Sequence, residues 1–195
     1  MTTISKKHAS KSILYPPGGI LMWIIIYLEL ITFGGVLIAM VLFSKDEPEV
    51  FQQSRLLLNT SFGTINTLLL LVSGYFMALT VSTLKAQKIQ KSKLYLKLTM
   101  LGGFLFLGVK TIEYMDKIDL GLTMGYNTFF SFYWMLTLFH VIHVLVGLVI
   151  LASVLRTLVK SPEKLILEDV EASATFWHMC DLIWLLLFPL IYLVF

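Results

Sequence analysis

Five long apolar stretches constrain this chain more than any other feature of its sequence. A helix that crosses a bilayer needs roughly 20 mostly apolar residues, and five segments reach that length. Hydrophobic residues make up 57% of the 195 residues and charged residues 14%, whereas an ordinary soluble domain carries about 25% charged residues. We therefore predict an all-α integral membrane bundle of five helices, with spans near 20–43, 62–84, 94–115, 129–155 and 172–194.

The lysines and arginines between the spans predict how the bundle is oriented. Eleven of them lie before the first span, around the connection from the second to the third, and after the fourth; three lie in the other connections. Because basic residues favour the cytoplasmic side, the N-terminus should lie inside and the C-terminus outside. Residues 1–19 would then form a cytoplasmic arm, followed by a membrane domain over residues 20–195. The first span contains Glu29 and is too long for a cleavable signal peptide, so we expect it to remain as an anchor.

The remaining composition argues against several other kinds of site. The single cysteine, Cys180, allows no internal disulfide and no CxxC metal motif. The lysines border the apolar segments instead of forming a helix that reads a nucleic-acid groove, so no nucleic-acid partner is expected.

Apart from Lys97 at the start of the third span, which we count with the preceding connection, four acidic or basic side chains fall within the predicted spans, and each is costly there. They are Glu29, Lys110, Glu113 and Asp181. On insertion scales a charged side chain at the centre of the bilayer costs roughly 2.5–3.5 kcal/mol. Such residues therefore persist where they are paired, face the bundle interior or serve a function.

The spacing of these residues leaves two interpretations open for each. Lys110 and Glu113 are three positions apart and share a helix face, so they form either an ion pair that ties helices together or part of a proton or lipid site. Glu29 has no charged partner in its own span. Apolar surroundings favour the neutral form of a carboxyl, so Glu29 is either a neutral acid bonded to another helix or a group that exchanges protons or contacts lipid headgroups.

Three of the four histidines occur in the last two spans. His140 and His143 are three positions apart, as are His178 and Asp181. A His-x-x-His pair can hold a metal or haem where further ligands converge, and a carboxylate that accepts a ring N–H fixes the imidazole orientation. Because histidines are so few, we favour interhelical hydrogen bonds, with His140 or His143 reaching Glu29, Glu113 or Asp181. His178 and Asp181 should face other helices and tie the last helix into the bundle.

Four motifs occur in an order that resembles one known family. WIIIYLELITFGG carries an acidic residue after an aromatic one, KTIEY fits K-x-x-E-Y/F, and FHVIHVLVG fits H-x-x-H-V-x-x-G. FWHMCDLIWLLLF fits F/Y-W-H-x-x-D-x-x-W-x-x-x-F. Together these motifs resemble subunit III of haem–copper respiratory oxidases, the cytochrome c oxidase subunit III family. The resemblance extends over nearly the whole chain from about residue 20, and five helices resemble the short bacterial form.

The resemblance implies a function that the residues alone do not give. The chain would bind no haem or metal and would pack beside catalytic subunit I in the bacterial cytoplasmic membrane. The partner would hold haem and copper or iron, and subunit II is a further candidate partner. The chain would bind structural phospholipid and support sustained proton uptake, with Glu29 as the proton-antenna or lipid-site residue. Lys110, Glu113, His140, His143, His178 and Asp181 would form an interhelical polar network.

Other functions remain as alternatives. The short form of the family includes an accessory protein of nitric oxide reductase systems, and the presence of Pro189 in the last span favours that branch. A free-standing proton or ion carrier would be built around Glu29, Lys110 and Glu113. A membrane metalloenzyme would use the ligand set His140, His143, His178, Asp181 and Glu113. The order of the four motifs favours an oxidase subunit over the carrier and the metalloenzyme.

Overall fold

The computed structural model describes residues 19–194, so the predicted cytoplasmic arm lies outside the described residues except for Gly19. Those residues form helices and turns, with no strand among them. The helices are α1 Ile20–Asp46, α2 Pro48–Leu56, α3 Thr60–Lys85, α4 Ile89–Asp119, α5 Thr128–Lys160 and α6 Leu167–Pro189. A short 3₁₀ turn, Pro162–Lys164, precedes α6, and a π-helical turn, Leu190–Val194, follows it.

Five of these helices are long and apolar enough to cross a membrane: α1, α3, α4, α5, and α6 together with its π turn. This confirms the predicted all-α membrane bundle of five helices. The first four predicted spans lie inside α1, α3, α4 and α5, the fifth extends over α6 and the π turn, and most observed helices run several residues further at their polar ends. The extension is expected, because backbone hydrogen bonding does not stop where hydrophobic residues stop.

The short helix α2 was not predicted, because its sequence is mostly polar. Pro48 occupies the first helical turn, where its fixed φ and missing N–H are tolerated, and Glu49 follows where the helix dipole favours an acid. Its one large inward side chain, Phe51, is buried. These features make α2 an amphipathic helix that lies across one end of the bundle and packs against α5.

Small residues allow α3 and α4 to pack closely along their length. A Cβ atom added to Gly102 would lie 2.7 Å from the Ser73 Cβ, so only glycine fits this contact. The Ser73 hydroxyl donates to the Thr99 carbonyl (2.8 Å) and accepts from the Trp177 indole N–H (3.0 Å). Packing and interhelical hydrogen bonds drive helix association in lipid, and this serine joins α3, α4 and α6.

Trp177 fixes the position of α6 in the bundle. Its indole is fully buried. A Cβ on Gly103 of α4 would come within 2.6 Å of the ring, and one on Gly147 of α5 within 2.9 Å. Two glycines therefore form the slot that receives this ring, and larger residues at either position would displace α6.

The backbone of the last span changes its hydrogen-bonding pattern at Pro189. The α-helix ends there and continues as the π turn. Proline has no N–H to donate to the preceding turn, which accounts for a change of pattern at this position. The π turn carries Tyr192 into the core, where it is 1% exposed.

Candidate functional site

The Lys110–Glu113 pair forms a closed cluster with two tyrosines from other parts of the bundle. The Lys110 Nζ donates to Glu113 Oε2 (3.0 Å), to the Tyr133 hydroxyl (3.3 Å) and to the Tyr192 hydroxyl (2.9 Å). Both tyrosine hydroxyls donate to the other carboxylate oxygen of Glu113. This four-residue set, called here the tyrosine-capped ion pair, joins α4, α5 and the π turn.

Every donor of the ammonium group in this set has an acceptor. A protonated lysine has three N–H donors, and they are taken by one carboxylate oxygen and two hydroxyls. All four residues are at most 1% exposed. A buried ion pair offsets its desolvation only when its remaining hydrogen-bonding positions are satisfied, and here they are. The arrangement is that of a structural junction between helices, with no path to lipid or water at its own atoms.

The connection that contains α2 covers this ion pair at one end of the bundle. Arg55 donates to the Tyr192 carbonyl at 3.5 Å, and Lys117 donates to the Leu57 carbonyl at 3.0 Å. Both basic side chains thereby satisfy carbonyls in or beside short helical turns. Sequence reasoning missed these contacts and the two tyrosines, because the partners are far apart in the chain.

Glu29 meets His143 across the interface between α1 and α5. The Glu29 Oε1 and the His143 Nε2 are 3.1 Å apart. The other ring nitrogen, Nδ1, lies 2.8 Å from the Phe139 carbonyl one turn earlier in α5. Glu29 is one of the three acids that His140 or His143 was expected to reach, and the structure brings Glu29 and His143 together.

The Phe139 carbonyl determines how protons are arranged in this pair. A carbonyl only accepts, so the His143 Nδ1 must carry a proton. A hydrogen bond between Nε2 and the Glu29 carboxyl then needs one proton between them. The pair is either a neutral acid with a neutral imidazole, or a carboxylate with an imidazolium. Both forms have zero net charge, which lowers the cost of placing two ionisable groups in the membrane.

This pair is less enclosed than the tyrosine-capped ion pair. The Glu29 side chain is 18% exposed and that of His143 is 11% exposed. The rings of Phe33 and Phe139 pack around the imidazole, with centroids 5.6 and 4.6 Å from it. Thr32 offers Glu29 a long hydrogen bond of 3.4 Å. Glu29 therefore has an internal partner and a partial opening to the outer surface of the bundle.

His178 and Asp181 lie in two different environments. Asp181 is buried against α3, where a Cβ on Gly74 would come within 2.2 Å of its Oδ2. The His178 Nδ1 is 3.4 Å from the same oxygen, but the His178 side chain is 45% exposed. Asp181 thus faces a neighbouring helix as expected, whereas His178 lies on the surface of the bundle, which differs from the expectation that both are interhelical.

His140 belongs to none of these groups. It is fully buried between the rings of Phe106 and Trp184, and neither ring nitrogen has a hydrogen-bond partner within the described chain. Among residues 19–194, no three histidine, cysteine, aspartate or glutamate side chains converge as a metal-binding group. The five residues of the metalloenzyme hypothesis are instead distributed over separate places in the bundle.

The fold and its internal acid–base pairs define a multi-pass helical membrane protein whose polar groups mainly satisfy one another. The family model described as cytochrome c oxidase subunit III matches residues 55–194. The chain belongs to the cytochrome c oxidase subunit III family, as the four motifs indicated.

Several curated proteins are similar to the chain over most of its length. Subunit 3 of the cytochrome bo(3) ubiquinol oxidase of Buchnera aphidicola is 27% identical over 88% of the chain and 84% of that protein. Cytochrome c oxidase subunit 3 of Thermostichus vulcanus is 26% identical over 99% of the chain and 94% of that protein. The haem–copper oxidase subunit I+III of Aeropyrum pernix is 26% identical over 89% of the chain and 22% of that protein.

These comparisons identify the chain as a non-catalytic subunit III of a haem–copper oxidase, a component of a haem- and copper-containing complex. The relatives named above are subunits of quinol, cytochrome c or haem–copper oxidases. The alternatives of a nitric oxide reductase accessory protein, a free-standing carrier and a metalloenzyme are not favoured.

Proposed function

We propose that this chain packs beside catalytic subunit I in a bacterial cytoplasmic membrane and sustains proton uptake by that subunit during turnover. The relative from Aeropyrum pernix supports the pairing, because its name joins subunits I and III in one protein. The distribution of lysines and arginines supports an orientation with the N-terminus in the cytoplasm. Haem and metal belong to the partner, and subunit II is a further neighbour of the assembly.

The Glu29–His143 pair is the observation that carries the proposed role in proton uptake. One proton lies between Glu29 and His143, and the side chain of Glu29 is partly open to the surface of the bundle. Such a pair can accept a further proton at that surface and stay hydrogen-bonded, because an imidazolium N–H can donate to the carbonyl oxygen of a protonated carboxyl; release of the shared proton would break the hydrogen bond. The same opening allows contact with a structural phospholipid. The tyrosine-capped ion pair, by contrast, has no exposed atoms with which to do either.

Purification of the assembled complex tests the association. An affinity tag on this chain should recover a haem–copper subunit I in equal amount after mild detergent extraction. A tagged, unrelated five-helix membrane protein from the same membranes is the control for non-specific recovery. If the chain is recovered without any haem protein, the proposed association is wrong.

Variants of Glu29 test the role in proton uptake within that complex. Glu29→Gln preserves a hydrogen bond to His143 but carries no exchangeable carboxyl proton, and Glu29→Ala removes both. We expect normal haem content and near-normal initial oxygen consumption for both variants, with a shorter active lifetime during continuous turnover. Thr111→Val is the matched control, because Thr111 is exposed on α4 and its hydroxyl bonds the Leu107 carbonyl of its own helix. An unchanged lifetime in both Glu29 variants would reduce the pair to a packing contact.

A further inference from the structure

We infer that the exposed side of α6 around His178 is the surface against which a membrane helix of the catalytic subunit packs. The surface consists of His178 and two leucines on the same side of the helix, Leu182 and Leu185. This inference rests on the proposed association with subunit I, and it adds the position of the contact and the chemistry that the partner must present.

The depth of His178 can be read from an ion pair nearer the start of α6. Glu171 is bridged by Lys85 at 2.7 Å, and that lysine is 56% exposed, which marks the polar end of α6. His178 follows Glu171 by seven residues, or about 10 Å along the helix. The hydrocarbon layer is about 30 Å thick. The imidazole therefore lies within the hydrocarbon layer, well below the lipid headgroups.

Exposure at this depth requires an explanation. The His178 side chain is 45% exposed, and its neighbours on the same side, Leu182 and Leu185, are 48% and 42% exposed. The leucines suit lipid, but acyl chains offer no hydrogen bond to an imidazole. Polar side chains within membrane spans almost always face protein or a water-filled cavity. A protein helix with a hydrogen-bonding side chain is therefore the occupant that satisfies this position.

Asp181 prepares the imidazole for such a contact. It lies behind the ring, 3.4 Å from Nδ1, in a space that exists because Gly74 of α3 has no side chain. A carboxylate that accepts the Nδ1 proton fixes the ring orientation. The other ring nitrogen, Nε2, has no partner in the described chain. A hydroxyl or carboxamide on the partner helix would pair with Nε2 whether this nitrogen donates or accepts.

The other two membrane histidines show that this exposure is not general. His143 bonds through both ring nitrogens within the chain. His140 is fully buried between aromatic rings. Among the histidines in the described residues, His178 alone presents half of its side chain outside the bundle. This difference singles out its side of α6 as the surface that a partner helix would cover.

Spin labels attached to cysteines at neighbouring positions test the location of the contact while His178 itself stays unchanged. Leu182→Cys places a label one turn beyond His178 on the same side of α6. Leu145→Cys on α5 is the matched control, because Leu145 is 47% exposed and Leu182 is 48% exposed. The only native cysteine, Cys180, is fully buried, and the unmodified chain serves as the labelling blank. Oxygen accessibility at position 182 should fall several-fold on going from the isolated subunit to the assembled complex, while that at position 145 changes little.

Substitution of His178 tests the chemistry of the contact. His178→Leu should weaken retention of this subunit in detergent-washed complex by roughly threefold to tenfold, the effect of one interhelical hydrogen bond, and His178→Gln should restore much of it. His178→Leu also removes the Nδ1 contact of the buried Asp181, so the melting temperature of the isolated subunit should fall slightly in this variant, by less than the loss of retention requires. If the loss of stability in the isolated subunit, expressed as a free energy, accounts for the whole loss of retention, His178 has a purely internal role and the inference is wrong.

Two further outcomes separate this inference from the proposed function. If the complex is intact but position 182 remains as accessible to oxygen as in the isolated subunit, lipid covers this side of α6; the inference is then wrong and the association stands. If no catalytic subunit is recovered with the chain, both are wrong.

Discussion

The tyrosine-capped ion pair and the Glu29–His143 pair are both acid–base pairs within the membrane, yet their surroundings differ. Lys110 and Glu113 share one helix and are enclosed by two tyrosine hydroxyls, with no more than 1% of any member exposed. Glu29 and His143 come from different helices, and 18% of the Glu29 side chain remains open. The two pairs thus differ in enclosure and not in the presence of ionisable groups, and the proton exchange proposed for Glu29 depends on that difference.

The largest expected effect follows from removing one charge of the enclosed pair. Lys110→Met leaves Glu113 buried with its charge unmatched, and loss of one partner of a buried pair costs about 3 to 5 kcal/mol. We expect the variant to accumulate poorly and to unfold at a much lower temperature in detergent. The double variant Lys110→Met, Glu113→Gln should recover a large part of the stability. Equal stability of the single and double variants would show that the charges are not coupled.

A smaller effect is expected from the tyrosines that enclose the pair. Tyr192→Phe removes one acceptor of Lys110 and one donor to Glu113, and a buried group left unsatisfied costs about 1 to 3 kcal/mol. Thermal unfolding in detergent measures this loss. Tyr126→Phe is the matched control, because Tyr126 is 57% exposed. If both variants unfold at the same temperature, the tyrosine hydroxyl contributes nothing to the enclosure.

Glu29→Gln should change stability by less than about 1 kcal/mol, since the amide can still bond to His143 and the position is partly open. Thermal unfolding of this variant beside Glu113→Gln provides the direct comparison of the two pairs. A loss at Glu29 as large as that at Glu113 would remove the distinction between an enclosed and an open site.

The smallest expected signal concerns the proton on His143. Its Nδ1 should be protonated in every state of the pair, because it faces the Phe139 carbonyl. Nitrogen-15 NMR of the ring in lipid should show a protonated Nδ1 in the native chain and in Glu29→Gln alike. A neutral ring with its proton on Nε2 alone would contradict the arrangement of the pair.

Much of the fold was predictable, because apolar runs of membrane length have few other structures available. The motif order gave the family, and spacing alone paired Lys110 with Glu113 on one helix face. The identity of the partners was less accessible. Tyr133 and Tyr192 lie outside the four motifs, and no local pattern reveals that the π turn brings Tyr192 into the core. Spacing likewise suggested equal burial for His178 and Asp181. In the structure Asp181 lies on the side of α6 that packs against α3, whereas His178 lies on a neighbouring side that remains exposed.

The position of the two tyrosines along the chain bears on the order of synthesis. Tyr192 follows Lys110 by 82 residues, and chains grow at about 5–20 residues per second. Lys110 and Glu113 therefore wait roughly 4 to 16 s before Tyr192 is made. During that interval each of the two charges has the other as its counter-charge, because Lys110 and Glu113 lie on the same face of one helix. Placing both charges on α4 lets these two groups enter the bilayer as a neutral pair, before the helices that later enclose them exist.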